Sequence, residues 1–154
     1  MAEKNEDVIR ALNDLIESCK DAEQGFRTAA ERAGKDWDPE FRTLLNVLAQ
    51  QRARFAAELQ NEVLHRGGDP AKSGHVSTGF QRGWMNLNLL LAGNSEPSII
   101  AECETSELAA MRNYEAALKT NLPSDLFSIV QDQYAEIKLA HNRLRALERA
   151  YKAG

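Results

Sequence analysis

This chain has little cysteine, no long apolar run and no excess of positive charge, and each shortage removes a class of protein. Two cysteines in 154 residues cannot build the disulfide framework of a small secreted domain. Cys19 and Cys103 both fall on apolar helix faces, so they read as reduced, buried thiols of a cytoplasmic protein. A bond between them requires that the two faces pack at the same level. No apolar stretch approaches the roughly 20 residues of a membrane span. The opening Met1-Ala2-Glu3-Lys4-Asn5-Glu6-Asp7 lacks the apolar core of a signal peptide. Lys plus Arg total 19 against 23 Asp plus Glu, a formal net charge of −4. That balance argues against a broad basic face for nucleic acid. Strand-like alternation, low-complexity stretches, a nucleophile–base pairing, a phosphate loop and a cysteine-based metal motif are all missing. The expectation is a cytoplasmic protein that binds neither nucleic acid nor membrane.

What is present is helix. Hydrophobic residues at 43% and charged ones at 27% fit a globular protein, read as one domain over residues 1–154. Val8, Leu12, Leu15, Cys19, Ala22, Phe26, Ala30 and Ala33 recur in threes and fours, one stripe of a helix over residues 5–33. Asn5 is a good N-cap for it, and Gly34 suits a left-handed cap at its end. Asp38-Pro39 is a cap followed by a first-turn proline. It opens a helix over residues 38–66 with Phe41, Leu44, Leu45, Leu48, Phe55, Leu59 and Val63 on one side. Gly67-Gly68 stops it. Residues 67–98 change character. Glycine, proline and serine mark loops, around a short helix over residues 78–92 that carries Phe80, Trp84, Leu87 and Leu91 on one side. Two more helices follow over residues 98–120 and 123–151, with Asn121-Leu122-Pro123 as the tight link between them. Tight links make antiparallel neighbours. The pattern is therefore all-α, a four-helix bundle of two antiparallel hairpins joined by a long crossover that carries a short fifth helix.

The two hairpins echo each other. Leu15-Ile16-Glu17-Ser18-Cys19-Lys20-Asp21-Ala22-Glu23 matches Ile99-Ile100-Ala101-Glu102-Cys103-Glu104-Thr105-Ser106-Glu107 in its aliphatic pair, its cysteine and its final glutamate. Glu23 and Glu107 each share an apolar face, and a carboxylate there is costly unless something pairs with it. The helix order with one inward glutamate on the first and third helices resembles ferritin-like bundles. More closely, the chain is similar to a bacterial family of uncharacterised ferritin-like four-helix proteins, some of them associated with stress. The stretches that carry the likeness are Asp21-Ala22-Glu23-Gln24-Gly25-Phe26, Gln51-Arg52-Ala53-Arg54-Phe55-Ala56-Ala57-Glu58-Leu59, Arg82-Gly83-Trp84-Met85-Asn86-Leu87 and Ala140-His141-Asn142-Arg143. They span nearly the whole chain. Relatives often have His where this chain has Gln81. The resemblance implies the fold and brings no established activity.

A di-metal centre in such a bundle takes one Glu from each of two helices and Glu-x-x-His from each of the other two. Glu62-Val63-Leu64-His65 has that spacing. However, antiparallel pairing sets Glu23 opposite residues near 50, which leaves Glu62 roughly 18 Å away along the helix at 1.5 Å per residue. Glu58 is nearer in level but flanks the stripe. His141 faces inward, four residues after Ile137 and three before Leu144, while Lys138 holds the place its partner carboxylate would need. Arg52 also faces inward, between Leu48 and Phe55, close in level to Glu23. An inward guanidinium suits carboxylates and repels divalent metal. Two readings follow. The preferred one is a buried polar network of Glu23, Arg52, Glu107 and His141 in a non-catalytic or stress-associated binding or structural protein with a degenerate metal site. The alternative is iron or another divalent metal at Glu23, Glu58, Glu107 and His141, serving oxidase or peroxide-consuming chemistry. Tyr114, Tyr134 and Trp84 read as packing, and His75 as a loop residue. The segment bearing Phe80, Trp84, Leu87 and Leu91 is the candidate surface for a homo-oligomer.

Overall fold

A computed structural model describes residues 2–72, 93 and 95–153. Within them the chain forms four helices: α1 (Ala2–Glu31), α2 (Pro39–His65), α3 (Glu96–Leu118) and α4 (Ser124–Ala153). The short helix expected over residues 78–92 lies outside the described residues, as do His75 and Gln81. The long helices depart from the predicted bounds by a few residues at their ends, for local reasons. α1 starts before Asn5, whose side-chain amide donates to the Arg66 carbonyl at 3.2 Å instead of capping. Gly34 lies beyond α1 without a left-handed φ, and its carbonyl accepts from the Trp37 amide at 3.1 Å. α2 starts as read, with the Asp38 carboxylate accepting from the Glu40 amide at 2.9 Å. α3 begins at Glu96 rather than 98, because Ser95 is the cap and Pro97 sits in the first turn, where its missing N–H costs nothing.

α2 ends in a Schellman pair. Gly67 donates to the Leu64 carbonyl at 3.0 Å and Gly68 to that of Val63 at 3.0 Å. Gly67 has φ 77° with open space around it. Gly67→Ala should therefore lower stability by about 1 kcal/mol through backbone strain alone, read as a lower urea midpoint with an unchanged helical spectrum.

The core divides into two apolar clusters, and the division gives the topology. One holds Phe26 of α1, Phe41 and Leu48 of α2, Ile99 and Cys103 of α3, and Leu144 of α4. The other holds Leu12 and Cys19, Phe55 and Leu59, Ala110 and Tyr114, and Val130 and Ile137. α1 and α4 thus rise from the second cluster to the first, while α2 and α3 descend. The tight links join α1 to α2 and α3 to α4, and the hairpins meet with α1 on α3 and α2 on α4. α2 ends at one pole, where Arg66 pairs with Asp125 at 3.2 Å. α3 begins at the other, where the Glu96 carboxylate accepts from the Asp38 amide at 2.8 Å. Trp37, from the first tight link, is buried at that pole and stacks on Phe41 with centroids 5.8 Å apart.

Candidate functional site

Between the two clusters lies a polar layer. Arg52 stands on α2 between Leu48 and Phe55, and Glu107 on α3 between Cys103 and Ala110. Both spacings aim the side chain at the bundle axis. The residues are 1% and 0% exposed, and Arg52 Nη2 donates to Glu107 Oε2 at 2.5 Å. The Arg52 Cζ also lies 5.4 Å from the centroid of the Phe26 ring, a cation–π contact made in a desolvated place. Burial opposes the charge on Arg52, but the adjoining Glu107 carboxylate outweighs it and holds the guanidinium above its ordinary value. The pair is one-pronged. Arg52 Nε and Nη1 and Glu107 Oε1 are buried and make no hydrogen bond.

Beside the ion pair runs a neutral chain of hydrogen bonds. Tyr114 Oη donates to Gln133 Oε1 at 2.7 Å, and Gln133 Nε2 donates to the Phe55 carbonyl at 3.4 Å. With its proton so committed, Tyr114 Oη accepts from the Cys19 thiol at 3.1 Å. Burial pushes the Cys19 thiol from 9.0 up to about 11. Burial likewise lifts Tyr114 well above its ordinary range. Cys103, free like Cys19, is lifted by burial and then by the nearby Glu107 and Glu102 carboxylates. These thiols are poor nucleophiles, since attack requires the thiolate.

The other residues singled out in the sequence stand elsewhere. Glu23 does not reach Arg52. Its carboxylate pairs with Arg27 at 2.8 Å and Lys20 at 3.7 Å on the flank of α1, with the side chain 14% exposed. The cause is competition on its own helix, where Arg27 lies one turn on and Lys20 one turn back. His141 is buried but turns toward Glu104, with Nε2 3.6 Å from Glu104 Oε1 and without a hydrogen bond. Glu104 in turn shares a hydrogen bond with Glu148. Burial leads the rise of the Glu104 carboxyl, and that shared bond lowers Glu148. Glu58 lies on the surface, 4.0 Å from Arg54, and Glu62 pairs with Arg66 at 3.0 Å. His65 Nδ1 lies 2.9 Å from the Asn61 carbonyl of its own helix. Sequence reasoning missed Gln133, Glu104 and the buried Asn113–Ser18 hydrogen bond of 3.1 Å. A signal for Gln133 was available, since it stands three residues after Val130 and four before Ile137, the heptad spacing that exposed Arg52.

These donors do not fit a di-metal centre. Of the four carboxylate and imidazole residues expected there, only Glu107 is at the axis, and one of its oxygens holds a guanidinium. Among the described residues no His, Cys, Asp and Glu side chains gather in threes in a way that holds a metal ion. No described helix is long and apolar enough to cross a membrane. A family model described as a domain of unknown function (DUF2383) matches residues 7–120. That stretch contains Glu23, Arg52 and Glu107 and leaves α4, with Gln133 and His141, outside. No curated protein matches the chain.

Proposed function

The chain belongs to the DUF2383 family, and from its own residues we propose that it is a ferritin-like binding or structural protein without catalysis, in which an ion pair occupies the level of a former metal centre. The observation that carries this reading is the Arg52–Glu107 pair, 2.5 Å apart and closed from solvent between the two halves of the core. A guanidinium supplies the positive charge that a divalent ion supplies in a carboxylate-lined bundle, without any open coordination position for oxygen or peroxide. A cytoplasmic, stress-associated role in bacteria and a crossover with a short helix over residues 78–92 belong to the same proposal. Support for them is the likeness noted in the sequence.

The test is metal loading. Protein purified without a tag and given ferrous iron anaerobically should retain well under one iron per chain after desalting. Admission of air should then produce no new absorbance. Two tightly held irons with an oxygen-dependent absorbance would establish the di-iron carboxylate reading and end this one.

A further inference from the structure

Of the four neighbouring helix pairs, α2 and α4 approach each other least, and they leave a groove of about 480 Å³ between them. Val47 of α2 and Leu139 of α4 line it and are 47% and 63% exposed. The apolar floor is Leu48 and Ala140. Large aliphatic side chains so placed on both walls of one groove mark a surface for association rather than scattered surface apolarity.

Charged residues surround the exposed aliphatics along this face. On α4, Asp132, Glu136, Leu139, Arg143 and Ala146 follow spacings of four, three, four and three. On α2, Val47, Gln51, Arg54 and Glu58 do the same. Such spacing keeps the residues named on one face of each helix. Charge then selects the partner. Glu136, paired at 3.1 Å with the half-exposed Arg54 of its own chain, stands three residues before Leu139 and Arg143 four after it, so acid and base flank the exposed leucine on opposite sides. A two-fold axis beside Leu139 lays α4 antiparallel on its copy, brings the two leucines together and sets each Glu136 against the other chain's Arg143. We infer that the α2–α4 face is a self-association surface covered by a second copy of this chain.

The described residues that follow α2 turn away from this groove. Asp69 and Ala71 are held to Asn13 of α1 at 3.1 and 2.8 Å, and Ala71 to Gln60 at 2.9 Å.

Sedimentation velocity of the full chain tests this. The wild type should sediment as a dimer. Leu139→Glu, at a position too exposed to disturb the core, should give a monomer with an unchanged helical spectrum. Arg143→Glu should weaken the dimer at least about tenfold at low ionic strength, with a smaller effect in high salt, because it opposes two carboxylates twice. Leu64→Glu, equally exposed but outside the groove, should leave the dimer intact. A monomeric wild type overturns the inference. So does a dimer that survives Leu139→Glu, and a dimer lost on Trp84→Ala but kept in Leu139→Glu would move the interface to the segment of Phe80, Trp84, Leu87 and Leu91.

Discussion

Replacing Arg52 by alanine should cost about 3–5 kcal/mol, because it strands the Glu107 carboxylate in a place closed to water. Against the roughly 5–15 kcal/mol that holds a domain of this size together, that loss brings the fold close to its limit. Glu107→Ala should do comparable damage by stranding Arg52. The double variant should lose less than the two single losses combined, since each single change already destroys the shared contact. Glu23→Ala should cost under about 1 kcal/mol, as removal of a partly exposed pair between neighbouring turns does. Arg54→Ala should be similarly mild, because Arg54 meets Glu136 at 3.1 Å with both side chains half exposed. Urea denaturation of the five variants checks this ordering. The sharper comparison is Arg52→Met with Glu107→Leu. That double change removes the pair and fills its space with apolar atoms, and should be neutral or stabilising. If it is as damaging as Arg52→Ala, then the pair contributes more than the avoidance of a stranded charge. If Arg52→Ala is mild, water reaches Glu107 and the layer is not closed.

Spacing alone revealed which side chains point inward but was less able to say how far. Arg52 and Glu107 stand between apolar residues three and four positions away on both sides, and both reach the axis. Glu23 has the same flanks in Cys19 and Phe26, and it does not. The difference lies in the partners within reach. The stripe of α1 is broad, running from Ser18 on one side to Ile16 on the other, and Glu23 falls within it. There Arg27, four residues on, competes for its carboxylate. The internal echo between Glu23 and Glu107 is thus a likeness of sequence that tertiary packing treats unequally. Level along the bundle was easier to read, because the tight links at residues 32–38 and 119–123 fix the register of each hairpin. What escaped was pairing across hairpins. Cys19 with Tyr114, Ser18 with Asn113 and Arg52 with Glu107 depend on how one hairpin rotates against the other, and no short-range pattern encodes that rotation. His141 is buried too, but it is aimed at Glu104 of α3 in its own hairpin rather than at the axis pair.

Alkali should unfold this protein cooperatively, and its tyrosines should report the event in one step. The charged form of a thiol or phenol is the deprotonated one, which burial disfavours. Cys19 titrates at about 11 when folded and at 9.0 when not. Below pH 9 both states keep the proton, so the group contributes no pH dependence. Above it the unfolded chain releases the proton and the folded chain does not, and stability falls by roughly 1 kcal/mol for each pH unit. Cys103 adds a fall from the same starting point and Tyr114 one from its ordinary 10.0 upward, since burial raises both well above those values. Together they make the decline steeper than Cys19 alone would. The remaining tyrosines are also held protonated. The carboxylate of Glu115 accepts from Tyr134 and that of Glu96 from Tyr151, and each bond lifts its phenol to about 12. All three tyrosines of the chain should therefore resist titration at pH 10 and ionise together as the helices are lost. Parallel titrations followed by tyrosinate absorbance and by far-ultraviolet circular dichroism should give coincident curves. Cys19→Ala with Cys103→Ala should lower stability at neutral pH yet flatten its decline above pH 9. Tyrosinate absorbance that rises near pH 10 while the helical signal holds would mean that at least one of the three phenols ionises without unfolding.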